Sequence, residues 1–161
     1  MTISLRPPIA TDYDALAAWI PDAKACLRWA GPRIQFPFTG AELQRQLAVA
    51  DTESFVLTDG GSVTLGFGQL WLRDGDAARL MRIIVAPPLR GLGVGRELCR
   101  LLILHAADVV GARAVTLAVY RDNVAALALY RSLDFVPVDS RSTAESLLMR
   151  LDLVALQAHT P

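Results

Sequence analysis

Apolar and polar residues follow two rhythms along the chain, one of period two and one near 3.6. Ile3-Ser4-Leu5-Arg6 alternates and predicts a short first strand, stopped at Pro7-Pro8 where the backbone loses its donors. A helix is predicted from about Asp12 to Trp19 with Thr11 as its cap, and a second from Asp22 to Trp29, ended by Ala30-Gly31-Pro32. Arg33 to Phe38 reads as a loop rich in apolar side chains. Thr39-Gly40-Ala41-Glu42 is a capping box and starts a third helix that runs through about Val49. Three strands follow, Ser54 to Thr58, Val63 to Leu72 and Ala77 to Val85. They are joined by the turn sequences Asp59-Gly60-Gly61-Ser62 and Arg73-Asp74-Gly75-Asp76, so an antiparallel meander is expected. From Gly93 to Val110 a helical face carries Val94, Leu98, Leu101, Leu102, His105 and Val109, and Gly111 closes it. Val115 to Val119 is a strand, Asn123 to Leu133 a helix, and Phe135 to Val138 with Ser146 to Leu151 the last strands.

This order is a mixed α/β arrangement. The strand–helix–strand crossover makes its two strands parallel, and a helix and a terminal hairpin complete the sheet. The length of 161 residues predicts a single domain over residues 1–161. With 53% hydrophobic residues and a net charge of +0, the chain folds around a core and has no basic run of the kind that binds nucleic acid. No window reaches the ~20 apolar residues of a membrane span, so a soluble, cytoplasmic protein is expected. Cys26 and Cys99 have no partner at metal spacing and read as packed, reduced thiols. His105, on an apolar stripe, and His159, in the tail, lack a ligating companion, so no metal is expected. Serine hydrolase chemistry has no G-x-S-x-G signature to support it.

The chemistry concentrates in Ile83-Ile84-Val85-Ala86-Pro87-Pro88-Leu89-Arg90-Gly91-Leu92-Gly93-Val94-Gly95-Arg96. A strand ends there, a glycine-rich turn follows, and a helix begins. The first turn of a helix leaves N–H groups unpaired and carries partial positive charge, and glycines let an anion approach the backbone. Gly91, Gly93 and Gly95 therefore point to a phosphate nest, with a tight turn that binds nothing as the alternative. The glycine spacing is not that of a dinucleotide fingerprint, and no Lys-Ser or Lys-Thr follows as in a Walker A loop.

Arg90-Gly91-Leu92-Gly93-Val94-Gly95 resembles the pyrophosphate loop, (Q/R)-x-x-G-x-(G/A), of the GNAT superfamily of acyl-CoA N-acyltransferases. Asn123-Val124-Ala125-Ala126-Leu127-Ala128-Leu129-Tyr130-Arg131-Ser132-Leu133-Asp134-Phe135 resembles that family's second signature, N-x-x-A-x-x-(L/F)-Y-x-x-x-G-F, and lies in the right order. The resemblance covers about Leu80 to Val138. It implies a central mixed twisted sheet flanked by helices, with acetyl-CoA as cosubstrate. It also implies a bulged strand whose residues Ile83, Ile84 and Val85 meet the pantetheine arm, with the Val85 N–H polarising the thioester carbonyl. The backbone of Arg90, Gly91, Leu92, Gly93, Val94, Gly95 and Arg96 would hold the pyrophosphate, Asn123 would contact the cofactor arm near its sulfur, and Tyr130 would protonate the departing thiolate. On residue type alone, Asn123 is also a good helix cap, Tyr130 also a packed aromatic, and Arg90 also a solvated loop residue.

Departures from the family pattern matter too. Ala118 stands where many relatives carry a glutamate base, which leaves Glu53, Asp74, Asp76, Tyr120 or a water chain to accept the amine's proton. Asp134 stands where the family has glycine, in a turn that needs a left-handed residue. Trp29, Phe36, Phe38 and Trp71 supply aromatic side chains ahead of the cofactor loop, either as core or as walls of an acceptor pocket, with Trp29 and Phe36 the candidates. The expected reaction is acetyl transfer from acetyl-CoA to a primary amine by direct attack. A small-molecule amine is the first acceptor class and a peptide amine the second. A homodimer is left open, and a catalytically silent acyl-CoA sensor is the rival.

Overall fold

The structure is a computed structural model that describes residues 2–153, so the expectation for His159 lies outside it. Its strands are β1 (Ser4–Arg6), β2 (Thr52–Thr58), β3 (Thr64–Asp74), β4 (Ala77–Val85), β5 (Ala114–Tyr120), β6 (Val136–Pro137) and β7 (Ser146–Asp152). Its helices are α1 (Ala10–Ala18), α2 (Ala23–Ala30), α3 (Gly40–Leu47), α4 (Val94–His105) and α5 (Val124–Ser132). Among the described residues the strands form one sheet in the order β1-β2-β3-β4-β5-β7-β6. The β2-β3-β4 meander is antiparallel, and β4 runs parallel to β5 through the α4 crossover. The mixed α/β sheet is as the sequence order predicts.

Alternation along β2 builds two cores. Phe55 and Leu57 face α4, where Leu98, Cys99 and Leu102 pack against Leu70, Leu80, Val115 and Met149. Val56 faces the other way with Phe67, against Tyr13 and Leu16 of α1 and Leu43 and Leu47 of α3. Thr39 and Glu42 form the expected capping box at α3, with N–H to side-chain distances of 3.1 and 3.0 Å.

Two local features differ from expectation, and a third follows it. Helix α1 begins two residues earlier than Thr11 would place it: Ile9 is the cap residue, and its N–H donates to the Asp12 carboxylate at 2.7 Å. That carboxylate also takes the Arg6 guanidinium at 2.6 Å and the Thr64 hydroxyl at 2.6 Å, so it ties α1 to β1 and β3. The apolar stripe of α4 continues past His105, but the backbone widens into a π-turn over Ala106–Val110 before Gly111 ends it at φ +75°. Helix α5 ends on Asp134 at φ +71°, and the Asp134 N–H to Arg131 O and Phe135 N–H to Tyr130 O bonds complete a Schellman motif.

Candidate active site

The site begins with an irregularity in β4. Phe67 pairs with Ile84 and Gln69 with Met81, so Arg82 and Ile83 together face Gly68 alone. This is a β-bulge, and Arg82 carries its strain at φ +53°. Gly68 suits the position because a Cβ there would come within 2.7 Å of Ile83 Cδ1 and 2.8 Å of Leu102 Cδ1. Past their first three paired residues the two parallel strands separate. β4 and β5 pair at Ala77, Ala78 and Arg79 and no further. From Leu80 to Val85 on one side and Leu117 to Tyr120 on the other, the strands line an open gap of about 680 Å³.

The gap collects half of the candidate site residues singled out in the sequence. Ile83, Ile84, Val85, Arg90, Asn123, Tyr130 and Trp29 all line it. The Ala86 N–H donates to Leu65 O on β3. Successive N–H groups of a strand point to opposite edges, so the Val85 N–H faces the gap. The Val85 carbonyl faces it as well and accepts the Arg90 guanidinium at 3.1 Å. Asn123 caps α5 by accepting the Ala126 N–H at 3.2 Å on Oδ1, and the residue lines the gap. Tyr130 packs edge-on against Phe135 at 6.0 Å. Burial pushes its phenol pKa well above the ordinary value, with the Cys99 thiol as the second cause. Cys99 is itself fully buried, its pKa pushed up to about 12.

At one end of the gap lies the glycine loop. Gly91 and Gly93 sit at φ +77° and +83°, where only glycine is comfortable. Gly93 is the N-cap of α4 and offers no side chain to its first N–H groups, which stay available to an anion. A Cβ added to Gly95 would meet Val85 and Leu129 at ordinary contact distance. The loop and the gap thus suit a long cosubstrate with a phosphate end and a thin arm.

At the other end stands α2. The Trp29 indole N–H donates to Arg82 O at 2.9 Å, and Arg28 pairs with Asp122 at 2.8 Å while lying over the Tyr120 ring. Phe36 is not among the residues lining the gap; it packs edge-on against Phe38 at 5.5 Å. Of the suggested proton acceptors, only Tyr120 lines the gap. Glu53 lies 3.5 Å from His105, Asp74 is held by Thr116, Arg79 and Arg141, and Asp76 faces Arg150. Ala118 is exposed on β5 at the gap and offers only a methyl group there. Arg82 is the residue that sequence reading missed.

Residues 18–135 match the sequence model of the acetyltransferase (GNAT) family. The chain belongs to this family. It is an acyl-CoA-dependent N-acyltransferase by that membership, and the splayed strands and the uncapped glycine loop are the parts such chemistry requires. The GNAT fold is also that of solved structures. Spermidine N-acetyltransferase from Vibrio cholerae, in complex with CoA and spermine, superposes with a TM-score of 0.77 at 18% identity, over 93% of this chain and 95% of that one. The ribosomal-protein-S18-alanine N-acetyltransferase from Escherichia coli gives 0.66 at 24% identity, over 94% of both chains. A domain from Methanocaldococcus jannaschii gives 0.71 at 15% identity, over 94% of this chain and 98% of that one. Among the described residues of this GNAT acetyltransferase, no group of three His, Cys, Asp or Glu is placed to hold a metal. No described helix is long and apolar enough to cross a membrane.

Proposed function

We propose that this chain transfers acetyl from acetyl-CoA to the primary amine of a small molecule, by direct attack and without a covalent enzyme intermediate. The observation that carries this reading is the gap itself, in which β4 and β5 part after Arg79 and leave backbone and Tyr130 facing the same space. The thioester supplies the electrophile. The Val85 N–H donates to its carbonyl oxygen, where an aimed donor contributes about 3 kcal/mol as charge develops. The Gly91 to Arg96 backbone holds the pyrophosphate, Asn123 steadies the arm with its amide, and Tyr130 donates a proton to the leaving sulfur. Among the described residues no Asp, Glu, His or Lys lines the gap, so the attacking amine gives its proton to water, directly or through the Tyr120 hydroxyl as it passes its own proton on.

That same absence favours a second reading, a sensor that binds acyl-CoA and does not turn it over. The alanine acceptor named for the E. coli relative keeps a peptide amine as the second acceptor class. Incubating the protein with acetyl-CoA and a panel of amines, with free CoA thiol as readout, separates these readings. Amine-dependent thiol release supports transfer. Tight acetyl-CoA binding with no release from small amines or peptides supports the sensor.

A further inference from the structure

The acceptor end of the gap is cationic. A second cavity of about 190 Å³ adjoins the gap there and is lined by Trp29, Ala30, Arg79, Leu80, Met81, Arg82 and Ala118. Arg82 is fixed within it: its Nε donates to Ala30 O at 3.2 Å and one terminal nitrogen to Gln69 Oε1 at 2.8 Å. Both partners are neutral, and among the described residues no carboxylate pairs with Arg82. Burial and the nearby Arg33 act against its charge. Arg79 reaches Asp74 at 3.3 Å through a terminal nitrogen, while its buried Nε has no hydrogen-bond partner. Asp74 is already shared among Thr116, Arg79 and Arg141. Among the described residues the only other ionisable groups lining the gap are Arg28, Arg90 and two tyrosines.

An ammonium-rich acceptor such as a polyamine meets no carboxylate in such a pocket, and it meets two guanidinium groups. A carboxylate suits it, because guanidinium binds carboxylate through parallel N–H bonds, and a half-buried charge without a counter-ion gains most from one. We infer that the acceptor carries a carboxylate as well as its amine, that is, an amino acid or a close analogue, with Arg82 holding the carboxylate and Arg79 supporting it. The strained bulge at φ +53° places that guanidinium one residue before Ile83, on the acceptor side of the proposed thioester position. The inference rests on the acetyltransferase reading of the same gap.

The test compares amino acids, their carboxamides and spermidine as acceptors for the wild-type protein, with CoA thiol release as the rate. We expect kcat/KM for the carboxylate to exceed that for its carboxamide by about 10²-fold, the scale of a hydrogen-bonded charge in a partly buried site. Arg82→Gln should erase the preference by raising the carboxylate's KM, with the carboxamide's KM and the acetyl-CoA affinity held. Arg82→Lys, which keeps the charge, should restore part of the preference. The wild-type comparison decides even where Arg82→Gln does not fold. Equal rates for acid and amide, or a preference for spermidine, would overturn the inference and leave the acetyltransferase reading standing. A wild-type protein that binds acetyl-CoA but acetylates no amine in the panel would remove both.

Discussion

Tyr130 stands two helical turns beyond Asn123 on α5, so cap and phenol address the same stretch of the gap. Its raised pKa keeps the phenol protonated throughout the neutral range, which is the state a proton donor needs. Tyr130→Phe keeps the ring contact with Phe135 and removes only the hydroxyl. We expect kcat to fall about 10²-fold with acetyl-CoA affinity unchanged, measured at saturating acceptor. A wild-type rate would return Tyr130 to a packing role and leave the thiolate to solvent. Gly93 offers a second residue-scale test. At φ +83° an aspartate is tolerated better than most residues, so Gly93→Asp adds a charge at the first turn of α4 with limited strain. Calorimetry should show acetyl-CoA binding lost while circular dichroism keeps the fold; unchanged affinity would place the phosphates elsewhere.

Single elements here are set by a few side chains, and their stability can be read through pH and turn geometry. Burial alone would raise the Asp12 carboxyl pKa, but bonds from Arg6, the Ile9 N–H and Thr64 together hold it below the usual carboxylate range. A carboxyl lowered in the folded state contributes fully above its unfolded value, near ~3.9, and that contribution is lost as pH falls through the folded value. Thermal melts should therefore weaken on acidification below about pH 4, and Asp12→Asn should be less stable at pH 7 and flatter in that acid window. An equally steep acid loss in Asp12→Asn would assign it to other carboxylates. At the end of α5, Asp134 holds a left-handed position that glycine fills without strain. Asp134→Gly should raise stability by about 0.5–1 kcal/mol in denaturant titration, and a loss would mean the aspartate side chain contributes more than its backbone costs. Asp134 was legible in the sequence because glycine stands there in the family pattern. The Asp12 anchor was not, since its partners Arg6 and Thr64 come from two other strands. The bulge was expected only from the family resemblance, and its place at Arg82 was not, because an arginine at positive φ leaves no local signature and the pairing around Gly68 is what locates it. The apolar stripe of α4 likewise continues past the point where the helix loosens.

Across the whole molecule, the crossover from β4 through α4 to β5 was readable from hydrophobic period and turn residues, and with it the parallel pair on which the site depends. Asn123, Tyr130, Val85 and Arg90 at the head of the glycine loop meet at one opening because that crossover brings their two sequence segments together. Trp29 joins them through its bond to the bulge, whereas Phe36 turns away to Phe38, a choice that aromatic composition alone does not make. How far β4 and β5 part is also beyond the pattern, since both strands continue as regular apolar runs past Arg79 and Thr116. The account stands on that parting holding the acyl-CoA arm. Ala118 lies on the β5 wall with its side chain exposed, and Ala118→Phe adds bulk to the opening while the glycine loop and Tyr130 keep their residues. Calorimetric titration of acetyl-CoA into the wild-type and Ala118→Phe proteins is the direct measurement. We expect binding by the wild type and at least a tenfold weaker affinity in the variant at an unchanged melting temperature, about 1.4 kcal/mol or more. Equal affinity in the two proteins would contradict the account, because the cosubstrate would then bind outside the gap.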